Sequence, residues 1–152
     1  MNDSSMDSRP IVCVGEVLWD SLPLGLFLGG APFNVGYHCH QLGRPVQVAS
    51  RVGADVLGEE VRRRCRWKGM DDRLIEEDEE LATGLVRVEL DAGGEPDYTI
   101  VDPVAWDRIA WSSELQGSVE QAEVVVFGTL AQRAERSRTT IRRTWETGGT
   151  LV

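Results

Sequence analysis

The chain has 152 residues, of which 41% are hydrophobic and 27% charged, a composition typical of a single globular domain. Acidic residues outnumber basic ones by 25 to 16, so the formal net charge is -9. This charge would repel nucleic-acid phosphates and leaves no basic patch for anionic lipids, so we expect neither nucleic acid nor a membrane as a partner. Without an apolar run of about 20 residues or a signal-peptide pattern, we expect a cytoplasmic protein.

The cysteines are Cys13, Cys39 and Cys65. Their number is odd, they are scattered through apolar segments, and no CxxC pair is present. This pattern favours reduced, buried thiols over a disulfide or a cysteine metal site.

The first part of the chain predicts a strand followed by a helix. Residues 1–10 are polar and are expected to be a flexible tail, and "IVCVG" (residues 11–15) is typical of a central strand buried on both faces. Residues 16–30 contain a proline and several glycines and predict a loop or an irregular edge strand. A helix then begins near Pro32 and ends before Gly43.

The next segment predicts a second strand and an amphipathic helix. "VQVAS" (residues 46–50) is the strand, and Leu57, Val61 and Cys65 recur every fourth residue in the helix. The arginines of that helix are interpreted as a solvated face: Arg62, Arg63, Arg64 and Arg66. The acidic run Glu76 to Glu80 is expected to be a solvated loop.

A β-hairpin is predicted at about residues 83–101, with one face open. Alternation in "TGLVRVEL" separates an apolar face from a mixed one. The apolar face comprises Val86, Val88 and Leu90; the other comprises Leu85, Arg87 and Glu89.

The last third predicts a weak helix around residues 112–120, a buried strand at 124–128 and a helix from about Arg133. That helix is expected to bury one face: Ala134, Ser137, Ile141 and Trp145. The final "GGTLV" resembles the start of another strand. The order of elements predicts a parallel α/β sheet with the hairpin inserted as a separate small unit.

The segment "LGGAPFNVGYHCHQLG" (residues 28–43) permits several interpretations. A metal site is disfavoured, because His38 and His40 lie about 200° apart around a helix. Gly29 and Gly30 before a helix could attract an anion. However, neither GxxxxGK[ST] nor GxGxxG occurs there, and a simple tight turn explains the glycines equally well.

A polyhydroxylated ligand is the third interpretation. Gly29 and Gly30 would let a ligand approach the backbone, Asn34 offers both a donor and an acceptor, and Asp20 offers two acceptors. Such a mixture suits sugar hydroxyls, which donate to a carboxylate and accept from an amide. Taken alone, Asp20 is better explained as a helix cap or a solvated turn residue, so the sugar interpretation depends on its combination with the glycines and Asn34.

Several motifs together resemble the ribokinase-like, PfkB-type carbohydrate kinases, most closely the bacterial fructokinases. In chain order they are "VGEVLWD", "GGAPFNVGYHCHQLG", "RVGADVLGEEV", "GMDDRLI", "TGLVRVELDAGGEPDYTI" and "FGTLAQR". The resemblance extends from about Ile11 to Val152, so we expect residues 11–152 to form the N-terminal part of such a kinase domain.

The resemblance implies transfer of a phosphoryl group from ATP, with Mg²⁺, to a hydroxyl of a small sugar, with fructose as the expected one. It also implies a doubly wound, mostly parallel sheet with a small β lid at residues 83–101. By position, the expected substrate-binding residues are Asp20, Gly29, Gly30, Asn34, Tyr98 or Ile100 as the lid residue, and Arg133. The family's lids often dimerise, so a homodimer through the hairpin is expected as well.

The chain also departs from the family pattern. Phe33 and Gly36 replace the usual small residue and alanine and are expected to reshape the pocket wall. The family's Gly-Ala-Gly-Asp segment, which carries the general base, and most of the ATP site are absent. We therefore expect a chain truncated at its C-terminal half, with no catalytic base or metal ligand of its own and weak affinity for ATP and Mg²⁺.

Two main hypotheses follow from the resemblance. The chain is either the sugar-binding part of a fructokinase-like enzyme, or a non-catalytic binding or assembly module derived from one. An unrelated α/β domain that binds anions at Gly29 and Gly30 is the third alternative.

Overall fold

The structure is a computed structural model that describes residues 9–90, 93–148 and 150–152. Within these ranges it has the predicted α/β architecture, built on a five-stranded parallel sheet. The strands of this central sheet are β1 (Ile11–Val14), β4 (Val46–Gly53), β5 (Ile75–Asp78), β8 (Val124–Phe127) and β9 (Thr150–Leu151), arranged in the order β5-β4-β1-β8-β9. The α-helices are α1 (Ala31–Gln41), α2 (Val56–Trp67), α3 (Ser113–Gln121) and α4 (Glu135–Thr147).

Both faces of the central sheet are covered, as the apolar run in β1 predicts. Ile11 and Cys13 belong to the core beneath α1 and α2, whereas Val12 and Val14 belong to the core beneath α3 and α4. The cysteines are free thiols, and burial raises the pKa of Cys13 to about 12. Cys13 is therefore a packing residue that stays protonated.

A second sheet contains β2 (Leu18–Leu22), β3 (Gly25–Gly29), β6 (Gly84–Leu90) and β7 (Pro96–Ile100), in the order β3-β2-β6-β7. The predicted hairpin is β6 and β7. The expectation of a loop or irregular edge strand at residues 16–30 holds for β3, which lies at the edge of this sheet, but not for β2, which is an inner strand. β2 and β3 form their own hairpin, and β2 pairs in parallel with β6. The side chain of Leu90, assigned to the hairpin's apolar face, and the turn at residues 91–92 lie outside the described part.

Trp19 explains why β2 is ordered although its neighbourhood is rich in turn residues. Its indole is 1% exposed in the core beneath α1 and α2, and Nε1 donates to the Leu57 carbonyl at 3.1 Å. Pro23 lies in the turn between β2 and β3, whereas Gly25 is the first residue of β3. The second sheet, which contains the predicted lid hairpin, is thus four-stranded and is anchored to the central core through Trp19. We use the name lid for this whole sheet.

The acidic run Glu76 to Glu80 is not a solvated loop, because residues 76–78 belong to β5. Asp78 is buried and accepts hydrogen bonds from the amides of Glu80 at 3.0 Å and Leu81 at 2.8 Å. It also pairs with Arg51 at 2.9 Å. Burial raises the pKa of Asp78, but these amides and the nearby arginines outweigh that effect and lower it overall.

Helix α4 buries a more polar face than the one predicted. Its buried residues are Ser137, Thr140, Ile141 and Thr144. Ser137 is satisfied there because its hydroxyl donates to the Trp106 carbonyl at 2.7 Å and accepts from the Ile109 amide at 2.9 Å. The expectation that Trp145 is buried was wrong: it is 40% exposed, with its ring beside Phe127.

Asp55 joins α2 to the start of the lid. It caps α2 by accepting the Gly58 amide at 2.8 Å, and it also accepts the Thr83 amide at 2.8 Å and the Thr83 hydroxyl at 2.7 Å. Burial raises the pKa of Asp55, but these hydrogen bonds outweigh it and the pKa is lowered overall.

We predict that Asp55→Ala lowers the free energy of unfolding by about 2–3 kcal/mol at neutral pH, since it removes a cap and leaves the Thr83 amide without its partner. Ser112→Ala, which removes a simple cap from α3, should cost about 1 kcal/mol. Because the folded pKa of Asp55 is lowered, its contribution is present above the ordinary value of 3.8 and is lost as the pH falls below it. Urea titrations of both variants from neutral pH to below 3.8 measure these costs. Equal costs at neutral pH would contradict the predicted magnitude, and a cost of Asp55→Ala that stays constant as the pH falls would refute the linkage.

Candidate functional site

The candidate site lies at the carboxyl ends of β1 and β8, which are neighbours in the central sheet. From β1 the chain proceeds to β4 and β5 on one side, whereas β8 and β9 lie on the other. Ligands of open α/β sheets bind at this kind of reversal in strand order. The second sheet branches from the same place, since β2 begins shortly after β1 and α1 follows β3 directly.

One face of the second sheet carries most of the predicted lid and substrate residues. Paired residues on neighbouring strands share a face, and the strand pairing places Asp20 with Phe27 on one side and Val86 on the other. We call this side the inner face; it comprises Leu18, Asp20, Phe27, Gly29, Val86, Val88, Tyr98 and Ile100. Its buried apolar residues pack against Leu130, which follows β8, so the inner face is turned toward the end of the central sheet.

Asp20, Gly29 and Gly30 are brought together at the base of the inner face. A Cβ on Gly29 would lie 2.6 Å from Oδ2 of Asp20, so a glycine is needed to leave room for the carboxylate. Gly30 has φ of +111° and caps α1, and a Cβ there would overlap the Glu16 carbonyl oxygen.

The carboxylate of Asp20 is available to a ligand. It is half-buried, and among the described residues it has no hydrogen-bond partner. Burial raises its pKa above the ordinary 3.8. A half-buried carboxylate without a hydrogen-bond partner is stabilised when it accepts hydrogen bonds from a bound hydroxyl.

Asn34 lies one helical turn beyond Gly30, and its amide donates to the Gly30 carbonyl at 2.8 Å. Its side chain is exposed and has no hydrogen-bond partner in the described part of the chain. The first turn of α1 therefore presents the Asn34 carboxamide next to the paired glycines, and its role in binding a sugar stays a prediction.

The two candidate lid residues occupy different rows of the inner face. Ile100 lies in the row of Asp20 through Val86, about 10 Å away across two strand spacings. Tyr98 pairs with Val88 in the next row and is 61% exposed. The register therefore places Ile100 nearer to Asp20.

Arg133 is engaged at the base of the lid. Its guanidinium makes two hydrogen bonds of 2.8 Å to Asp107, donates to the Val101 carbonyl at 2.9 Å and lies 4.0 Å above the Trp106 ring. The Asp107 carboxylate raises the pKa of Arg133. These contacts hold Val101, the residue that follows β7, against the 3₁₀ turn that carries Arg133. The role of Arg133 in binding substrate stays a prediction.

The two departures from the family pattern have different structural roles. Gly36 is buried against the central sheet, where a Cβ would lie 3.2 Å from Cys13 Sγ, so it allows α1 to pack closely and forms no pocket wall. Phe33 is buried and lines a cavity of about 320 Å³ beside Asn34, together with Tyr37 and Lys68. Neither Asp20 nor the paired glycines line that cavity.

The histidines of α1 do not converge. His40 bonds the Lys68 carbonyl at 2.9 Å, whereas His38 lies edge-on to Tyr37. Across residues 9–90, 93–148 and 150–152, no group of three His, Cys, Asp or Glu side chains is placed to hold a metal ion. The helices in these ranges are also too short or too polar to cross a bilayer.

Glu16 lies at the site although no sequence motif singled it out as a candidate residue. It is 3% exposed, and its carboxylate accepts the amides of Ala31 and Ala131. An acid placed directly after the glycine that ends a fully buried strand was the available signal, since that position coincides with the carboxyl edge of the sheet.

The sequence is similar to that of several known proteins. The pfkB family carbohydrate kinases match residues 23–147. A putative sugar kinase from Pyrococcus horikoshii is 33% identical over 115 residues, which is 76% of this chain and 37% of that protein. Fructokinase-1 of Zea mays is 29% identical over 149 residues, which is 90% of this chain and 46% of that protein.

Solved structures show the same fold. The Pyrococcus horikoshii sugar kinase in complex with ATP superposes with a TM-score of 0.77 and 31% identity, over 90% of this chain and 48% of that one. A fructokinase from Xylella fastidiosa superposes with a TM-score of 0.80 and 22% identity, over 93% and 49%. The chain spans less than half the length of the archaeal sugar kinase and of the maize fructokinase. The family match covers most of its residues, and the chain belongs to the pfkB family of carbohydrate kinases.

Proposed function

We propose that this chain is the sugar-binding part of an ATP-dependent carbohydrate kinase that phosphorylates a sugar hydroxyl, with fructose as the leading substrate. The observation that carries the proposal is the unpartnered, half-buried carboxylate of Asp20 beside Gly29 on the inner face, unpartnered among the described residues. Membership of the pfkB family and similarity to a maize fructokinase support it.

The residues suggest a division of roles in sugar binding. Asp20 accepts hydrogen bonds from one or two hydroxyls, and the Asn34 carboxamide can both donate and accept. Gly29 leaves room for the Asp20 carboxylate, and Gly30 lets α1 begin directly against the Glu16 carbonyl, so both glycines act by holding Asp20 and Asn34 close together. Ile100 or Tyr98 covers the apolar side of the ring. In the complete enzyme, closure of the lid over the sugar excludes water, which favours transfer to the sugar over hydrolysis.

ATP and Mg²⁺ belong to the activity proposed for the complete enzyme. When bound, they supply the transferred phosphoryl group and neutralise its charge. Among the described residues no cluster of three acidic, histidine or cysteine side chains is placed for a cation, and the guanidinium of Arg133 is held by Asp107. As part of the proposal, we assign this chain by itself no catalytic step and no general base.

An assembly module is the second candidate, and exposed apolar side chains on the lid favour it. Leu24 is 93% exposed, and Leu26 and Phe27 on β3 are 45% and 48% exposed. A homodimer through the β2–β3 hairpin would cover them. We place it there instead of at the expected β6–β7 hairpin, because Val86 and Val88 of that hairpin are buried beside Leu130. Sedimentation equilibrium of the wild type and of Leu24→Ser/Leu26→Ser would reveal a dimer that the substitutions dissociate.

We predict that the purified chain binds fructose but does not consume ATP in its presence. Binding is followed by ¹⁵N–¹H NMR during titration with fructose, ribose and glucose, and turnover by a coupled ADP assay. Shifts confined to residues near Asp20, Gly30 and Asn34 are expected. Absence of any saturable shift would defeat the sugar-binding proposal, and sustained fructose-dependent ADP release would defeat the assignment of an incomplete site.

A further inference from the structure

Glu16 is buried at the centre of the candidate site yet takes no part in the proposed sugar contacts. Its two carboxylate oxygens have different partners: Oε1 accepts the Ala31 amide and Oε2 accepts the Ala131 amide, each at 3.3 Å. No ion pair joins it to a described residue. One carboxylate therefore bridges two segments that are far apart in the chain.

Both bridged segments carry residues of the candidate site. Ala31 is the first residue of α1 and lies between Gly30, which caps the helix, and Asn34, which is predicted to bind the sugar. Ala131 lies in the 3₁₀ turn Leu130–Arg133, in which Leu130 packs against the inner face and Arg133 fastens the end of β7. The bridge thus links the sugar-binding turn to the base of the lid.

The surroundings of Glu16 are shaped closely around the carboxylate. A Cβ on Gly128 would overlap Oε2, and one on Gly30 would overlap the Glu16 carbonyl oxygen. Burial raises the pKa of Glu16, while its own backbone amide and the amides of Ala131 and Ala31 partly oppose that shift. Burying an ionisable group without a cation is unfavourable, so packing alone does not account for a glutamate here.

We propose that Glu16 is a positioning residue whose carboxylate holds the start of α1 at a fixed separation from the turn after β8, and so sets Gly30 and Asn34 relative to the inner face. This inference rests on the proposed function, because the geometry being set is that of the sugar site. Glu16 touches no substrate in this assignment; it acts through the two amides it accepts.

Two substitutions at Glu16 distinguish the proposed bridging role of its carboxylate from an effect of its negative charge alone. Glu16→Gln keeps the shape but can accept one amide while its NH₂ group faces the other. Glu16→Asp keeps the charge but is shorter by one methylene group and cannot reach both amides. Glu59→Gln, in the first turn of α2, is the matched control at a helix start away from the site.

The readouts are the amide proton shifts of Ala31 and Ala131, the fructose Kd from NMR titration, and the thermal midpoint. Both Glu16 variants should move both amide resonances and weaken fructose binding by about 10-fold, because the start of α1 is then held less firmly. The Glu16→Gln midpoint should stay near that of the wild type, because a neutral amide is easier to bury. Glu59→Gln should alter neither the Kd nor these resonances.

Three results would overturn the inference: unchanged amide shifts in Glu16→Gln, wild-type affinity in Glu16→Asp, or a loss of affinity that merely follows a fall in the midpoint. If the wild-type chain binds no fructose, the proposed function fails by itself. In that case the amide shifts still test whether Glu16 bridges the two segments. The bridge is supported if the Ala31 and Ala131 amide resonances both shift in Glu16→Gln, and it is refuted if they do not.

Discussion

Replacing Asp20 by asparagine should weaken fructose binding by about 100-fold with little change in the thermal midpoint. Two charge-assisted hydrogen bonds to sugar hydroxyls are lost or weakened, at about 1.5 kcal/mol each. No described residue depends on the Asp20 carboxylate for a hydrogen bond, so the fold should tolerate the change. Isothermal titration with fructose measures the loss.

Asp97→Asn is the matched control, because Asp97 also lies in a lid strand but on the opposite face, paired with Glu89. It removes the same charge from the same sheet and should leave the Kd unchanged. Burial raises the pKa of Asp20, so wild-type affinity should begin to fall at a pH above the ordinary 3.8 as the carboxylate is protonated. Equal losses in both variants would mean that general electrostatics, and not the position of Asp20, governs binding.

Gly30→Ala should destabilise the chain by about 3–5 kcal/mol, the range of strained and overpacked sites. The substitution is unfavourable in two ways: φ of +111° is outside the range of alanine, and the new Cβ overlaps the Glu16 carbonyl oxygen. To remove this overlap, α1 would have to move away from β2, and that movement would displace Asn34. Urea denaturation followed by circular dichroism gives the change in free energy of unfolding.

Gly117→Ala supplies the contrast for this prediction. Gly117 lies within α3, and a Cβ there meets nothing within 4 Å. Alanine should therefore stabilise the chain by about 0.5–1 kcal/mol through its helix propensity. If Gly30→Ala were as well tolerated as Gly117→Ala, the junction between β3 and α1 could not be as closely packed as the structure has it.

Strong local patterns made much of the fold predictable. The continuous apolar runs of β1 and β8 and the four-residue recurrence of Leu57, Val61 and Cys65 reflect burial on both faces of a sheet and on one face of a helix. The hairpin of β6 and β7 was predictable from alternation. In each case the signal lies within one element.

The errors occurred where long-range contacts override local composition. β2 is ordered by the burial of Trp19 and by pairing with β6, neither of which is visible in its own glycine-rich and proline-rich neighbourhood. Asp78 lies in a run of acids but is stabilised by amides and by Arg51. In α4, Ser137 is buried as predicted, but Thr140 and not Trp145 lies in the core with it, because the hydroxyls of Ser137 and Thr140 donate to backbone carbonyls there.

The candidate site was predictable only in part, for a similar reason. Asp20, Gly29, Gly30 and Asn34 were identified from residue type and motif, and the structure places Asp20 against Gly29 and Asn34 one turn from Gly30. The engagement of Arg133 with Asp107 and the bridging by Glu16 depend on segments that meet only in the folded chain. The spacing of residues along the sequence gives no information about contacts between segments that are distant in the chain.

The parallel pairing of β2 with β6 has a consequence for the order of folding. The two lid hairpins are local, but they are joined through contacts such as Leu18 with Gly84, and an isolated two-stranded hairpin is marginal in water. Closing so long a loop is entropically costly and slow, so the lid should consolidate after the core around β1 and β4. During synthesis, Asp20 emerges from the ribosome long before Ile100, which lies in its row through Val86, so the inner face around Asp20 is completed late.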